Sequence, residues 1–183
     1  LVVGSPGAGK TVLLADWFAT HPERTSAWLC CDAADADPVR FVAGVVEATR
    51  RAAGRPNLGE DARQLLSVDR RASADVVAAL ADDLERFGAP EVLVVDDFHL
   101  TGAAGAEVLS LLLDYQPPGL QVVVVSRLEP AIRLHRMRTS EALFEVCDQD
   151  LSFSVDETGL FLSEFGIRLT HEELEVVQQR SEG

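Results

Sequence analysis

Apolar residues recur along this chain in two rhythms. Unbroken runs at 1–3, 26–31, 92–95 and 121–125 stop at Gly4, Asp32, Asp96 and Ser126. Between them apolar positions return every three or four residues, as in Phe41, Val42, Val45 and Val46, or Val76, Val77, Leu80 and Leu84. The first rhythm suits strands buried on both faces, and the second suits helices with one apolar stripe. The pattern predicts helices over 11–18, from Pro38 onward, from Ser73 to Phe87, over 106–114 and over 131–138, with a weak last strand over 143–146. Asp37 and Pro38 read as N-cap and first helical residue, residues 54–59 as a loop, and Pro117-Pro118 as a stop. Strands alternating with helices predict a parallel sheet covered on both faces. The opening run is shorter than the usual strand of about five or six residues, so the sequence is expected to begin inside a strand.

After Asp150 the pattern is helical only. Ser154 with Glu157 and Thr170 with Glu173 form capping boxes. An α/β domain over 1–149 is therefore expected, followed by the first helices of a helical subdomain over 150–183.

The break after the first strand carries the chemistry. Gly4-Ser5-Pro6-Gly7-Ala8-Gly9-Lys10-Thr11 fits GxxxxGK[ST] at every defined position. Glycines let the backbone wrap so that successive amides face phosphate oxygens, and the following helix adds its positive end. Chance gives this pattern in roughly one chain in 100 to 200 of this length, and a strand before it and a helix after it make coincidence rarer. This is a P-loop, with Gly4, Ser5, Pro6, Gly7, Ala8, Gly9, Lys10, Thr11 and Val12 as the nucleotide-binding residues. Lys10 would reach the β- and γ-phosphates of ATP, and the Thr11 hydroxyl would ligate Mg2+. A magnesium nucleotide also needs an acidic residue at a neighbouring strand end. Asp96 is the candidate for that carboxylate, and Asp97 for the base that polarises the attacking water. Arg127, at the end of the 121–125 run, would sense the γ-phosphate or stabilise charge in the transition state, the plain alternative being a solvated strand-end arginine. His99 would orient a loop, and Asp32 would either contact the nucleotide or cap a helix.

Composition narrows the alternatives. Net charge is −14, and Lys10 is the sole lysine, whereas a groove that tracks nucleic-acid backbones needs clustered cations. The arginines between Arg127 and Arg138 read as a solvated helix face. Direct nucleic-acid binding by this segment is not expected, nor is a membrane span. Cys30, Cys31 and Cys147 lack metal or disulfide spacing. They read as small buried residues of a reducing, cytoplasmic compartment.

In order along the chain, these residues resemble the STAND class of signal-transduction ATPases, and within it the large LuxR-type, maltose-activator-like regulators. The resemblance runs from the P-loop through Leu13-Leu14 and Trp17, Ala27-Trp28-Leu29, Asp32, and Asp37-Pro38 with Arg40-Phe41. It continues through Leu93-Val94-Val95-Asp96-Asp97-Phe98-His99, Ser126-Arg127 with Pro130, and Asp150-Leu151-Ser152-Phe153 with Glu157. It implies a P-loop NTPase three-layer sandwich with strand order 5-1-4-3-2, the Arg127 strand lying between the P-loop and Asp96 strands. It also implies an ADP-bound resting form, an ATP-bound self-associating form and slow hydrolysis between them. Family members continue past the position of Ser181-Glu182-Gly183 into further subdomains, so effector-binding and DNA-binding regions are expected outside this sequence. Rival readings are a small-molecule or nucleoside kinase with Arg133, Arg136 and Arg138 on a lid, a nucleic-acid motor, and a nucleotide-binding module without turnover.

Overall fold

The computed structural model describes all residues except Arg70, Arg71, Ser73, Ala89, Gln116, Glu182 and Gly183. Four strands, β1 (Val2–Val3), β2 (Ser26–Cys30), β3 (Val92–Asp96) and β4 (Gln121–Ser126), form a parallel sheet in the order β1-β4-β3-β2. The strand that leads into Arg127 thus lies between the P-loop strand and the Asp96 strand. The expected fifth strand survives as a single parallel bridge from Val146 to Val2, with Val3 N donating to Val146 O at 2.9 Å. It sits beside β1 as the order 5-1-4-3-2 requires. Val146 N also donates to Leu1 O at 2.9 Å, and Phe144 is 80% exposed.

Alternation along the strands feeds two cores. On one face Leu93, Val95, Val124 and Ala27 meet α2 (Pro38–Ala53), α4 (Ala74–Phe87) and α5 (Gly102–Tyr115). On the other, Val92, Val94, Val125 and Val2 meet Leu14 of α1 (Lys10–Thr20), with Phe18 and Trp28 half-buried beside it. Asp37 caps α2 by accepting from Val39 N at 2.9 Å, and Pro38 opens the helix, as expected.

Several boundaries differ from the pattern. Helix α3 (Glu60–Asp69) follows the 54–59 loop, where no helix was expected. Its inward residues Ala62 and Leu66 continue a four-residue spacing from Leu58, too sparse to stand out among charged neighbours. The loop before it is tied down at Gly59, whose amide donates to the buried Asp83 carboxylate at 2.9 Å. Gly59 has φ +74°, and a Cβ there would lie 2.4 Å from Val46 Cγ1, so no other residue fits. Burial pushes the Asp83 carboxyl above its ordinary range. Helix α4 begins at Ala74; Ser73, expected as its first residue, lies outside the described residues. Helix α5 starts at Gly102, four residues early, because Gly102 and Gly105 hide its first turn from a propensity reading.

Helix α6 (Leu134–Thr139) is shorter than expected, since turns at Pro130 and Ile132 precede it. It is followed by α7 (Asp148–Leu151), α8 (Val155–Glu164) and α9 (His171–Ser181), and both expected capping boxes form. Among the described residues no helix is long and apolar enough to cross a membrane. One cysteine expectation holds and two do not. Cys31 is buried, its thiol pushed up to about 12 by desolvation and neighbouring carboxylates, whereas Cys30 and Cys147 are exposed. Cys30 ends an edge strand, so no element covers it.

Candidate functional site

The site begins where β1 stops. Gly4 is buried between strand ends, and its amide donates to Ser126 O at 3.2 Å. Beyond it Ser5, Pro6 and Gly7 form an open rim. Gly7 and Gly9 adopt left-handed φ values of +87° and +81°, which turn the chain into α1. Gly9 is the N-cap of α1 and supplies no capping side chain, and the first turn holds no acidic residue. The helix therefore presents uncapped amides and an unneutralised positive end to the loop. Val12, one turn in, is 71% exposed.

Lys10 folds back into this loop. Its ammonium is nearly buried and donates to Gly4 O at 2.6 Å and Ser5 O at 2.7 Å, which offsets its desolvation. The Thr11 hydroxyl points across to β3 and donates to Asp96 Oδ2 at 3.0 Å. The other oxygen of Asp96 accepts from Asp97 N at 2.9 Å. Two residues 85 positions apart in sequence thus meet because β1 and β3 flank β4.

Asp97 follows with φ +52°, a left-handed conformation that aspartate tolerates better than most residues. Its side chain is 40% exposed, and His99 Nδ1 lies 3.9 Å from Asp97 Oδ1, too far for a hydrogen bond. That buried ring nitrogen has no hydrogen-bond partner among the described residues. Arg127 is exposed just past β4. Ser126, buried before it, ties the turn by donating from Oγ to Leu128 O at 2.6 Å. Of the two readings of Asp32, capping is what the structure shows. Its Oδ1 accepts from Ala34 N at 2.7 Å and its Oδ2 from Arg40 Nη2 at 2.7 Å.

Asp148 escaped the sequence reading. It sits at the start of α7, yet Ser5 donates to it twice, from N to Oδ1 at 2.7 Å and from Oγ to Oδ2 at 3.2 Å. A Cβ at Gly4 would lie 2.7 Å from Asp148 Oδ1, so the glycine admits this carboxylate to the loop. No local signal marks it, because an aspartate opening a helix looks like any other.

Comparison with known proteins agrees with this geometry. Residues 1–125 match the family model described as an AAA ATPase domain. The chain is 31% identical over 165 residues to the HTH-type transcriptional regulator MalT of Cronobacter sakazakii, covering 88% of this chain and 18% of that protein. The MalT proteins of Yersinia enterocolitica and Klebsiella pneumoniae are 30% and 29% identical over 159 and 175 residues, covering 85% and 93% of this chain. The chain spans about 17–18% of the length of these curated relatives. A solved STAND protein with a tetratricopeptide repeat sensor, from Pyrococcus horikoshii, shares the fold with a TM-score of 0.63 at 18% identity, over 97% of this chain and 24% of its own.

Proposed function

The chain belongs to the AAA ATPase domain family, and from that membership we propose that it is the ATP/ADP switch of a signal-responsive transcriptional regulator. One observation carries the reading: the Thr11 hydroxyl lies 3.0 Å from the Asp96 carboxylate, directly beside a lysine-bearing phosphate loop. A hydroxyl and one carboxylate are the oxygen donors that a magnesium nucleotide needs from protein. An ion held by so few protein donors takes its other ligands from phosphates and water. Thr11 and Asp96 would hold Mg2+, which when bound neutralises charge between phosphate oxygens.

The chain's own residues do the rest. Lys10 exchanges two carbonyl acceptors for phosphate oxygens, and the amides from Gly7 to Thr11 cradle the polyphosphate. Arg127 donates to the γ-phosphate, and the Asp97 carboxylate takes the proton of the attacking water. Hydrogen bonds to charged groups are worth about 1.5–3 kcal/mol each, so the γ-phosphate contacts of Lys10 and Arg127 total several kcal/mol. Moving an equilibrium from 1:99 to 99:1 takes about 5.5 kcal/mol, which makes a switch of conformers affordable. The MalT relatives support placing this switch in a transcriptional regulator, where ATP favours self-association and effector- and DNA-binding regions lie elsewhere. The kinase reading needs free arginines on a lid. Arg133 pairs with Asp114 at 3.2 Å, and Arg138 with Glu145 at 2.6 Å and Glu129 at 3.2 Å.

Calorimetric titration with ADP tests the assignment. Lys10→Ala is expected to weaken binding about 100-fold through loss of charged hydrogen bonds; unchanged affinity would overturn the site.

A further inference from the structure

A cleft of about 430 Å3 lies away from the phosphate loop, between β2 and α2. β2 is the edge of the sheet. Val92 N donates to Thr25 O and Cys31 N donates to Asp96 O, so the odd-numbered residues of this strand turn their main-chain groups toward β3. Ser26, Trp28 and Cys30 turn theirs outward, and no described group bonds them. Such an edge is a template for another strand.

The cleft beside it has the shape for one. Its α2 wall is Gly44, Ala48 and Ala52, small side chains that leave room above the strand. Gly44 sets the close approach of helix and strand, since a Cβ there would lie 3.0 Å from Leu29 Cδ1. At the rim a single carboxylate, Glu47, is shared by Arg50 and by Arg51, the latter 2.8 Å away with its side chain 78% exposed. Arg55 is exposed one turn further on. Positive charge is thus in local excess at this end of the cleft, on a chain of net charge −14.

We propose that this cleft receives an extended segment of a separate polypeptide as an added strand on β2. The segment has small apolar residues at alternate positions facing Ala48 and Ala52, and a carboxylate that meets Arg51. Main-chain hydrogen bonds to Ser26, Trp28 and Cys30 supply affinity, and the side-chain wall supplies selection. A second copy of this chain is a poorer occupant, since it brings the same arginines to the same rim and a further −14 of net charge.

The probe is a capped hexapeptide, Asp-Val-Thr-Val-Thr-Asp, acidic at both ends so that either strand direction serves. Binding is read by the anisotropy of a fluorophore carried on the peptide, because the Trp28 indole packs beside Phe18 on the α1 face of the sheet, away from the cleft. A saturable rise is expected. N-methylation of alternate peptide amides should weaken binding about tenfold or more, and Arg51→Glu about fivefold. No saturable rise, equal binding of the methylated peptide, or equal binding of a lysine-flanked peptide would overturn the proposal. So would sedimentation showing a dimer that the peptide cannot dissociate, which would give the edge to a second copy.

Discussion

Asp96 and Asp97 are adjacent carboxylates at one strand end, yet their surroundings differ sharply. Asp96 is 4% exposed and accepts from Thr11 and from the next amide. Asp97 stands half-exposed on a left-handed turn, and no described residue hydrogen-bonds its carboxylate. The first is fixed in place by two donors and keeps further acceptor positions for the proposed metal side of the site; the second keeps its oxygens open to a water. Asparagine also tolerates a left-handed backbone, so Asp97→Asn should leave the turn intact while removing the proton acceptor. Nucleotide affinity is expected to stay within about twofold, and ATP turnover to fall about 100-fold or more. Parallel binding and phosphate-release measurements check this, and normal turnover would strip Asp97 of its role. At this scale the phosphate loop and the acidic pair were legible because their chemistry is local in sequence. Asp148 was not, because its importance comes only from a contact 143 residues away with Ser5. Cys30 misled for a related reason: burial is set by what covers a strand end.

Elements follow the same division. The apolar run Val92 to Val95 pointed to a sheet buried on both faces, and every residue of β3, Asp96 included, is buried. The stripes of α2 and α4 were equally plain. Helix α3 was hidden, because its two fully inward residues are spaced among charges. The 143–146 segment pairs beside β1 where a fifth strand is expected, through a bridge from Val146 to Val2. What sequence does not announce is how α7 is coupled to the loop. Asp148 holds Ser5 from the first turn of α7, and Leu151 of the same helix packs into the smaller core beside Val2 and Leu14. A rearranging loop would therefore pull on α7 and on the helices after it. Asp148→Ala should free the Ser5 amide, which now donates to the Asp148 side chain. Hydrogen exchange at Ser5 is expected to rise about tenfold, with little change at strands β3 and β4. Unaltered exchange at Ser5 would mean that the contact does not order the loop.

At the scale of the molecule the two faces of the sheet are unequal. Three helices and the inward side of α3 close one core, whereas α1 covers most of the other, with Leu14 as its one fully buried apolar residue. The proposed nucleotide site lies on that lighter face, at the loop that enters α1 and the strand ends beneath it. A ligand held by the loop, α1 and β3 together would bind the folded chain and not the unfolded one, so it should stabilise the whole fold by mass action. At a concentration 100 times the dissociation constant the gain is about 2.7 kcal/mol. For a chain of 183 residues, each kcal/mol raises the melting temperature by about 2–4 °C. Magnesium and ADP at that excess should therefore raise the Tm by about 5–10 °C in a scanning fluorescence or calorimetric melt. Lys10→Ala should lose most of that rise at the same nucleotide concentration. A wild-type chain that binds ADP by titration yet melts unchanged would show that α1 and its loop open independently of the larger core.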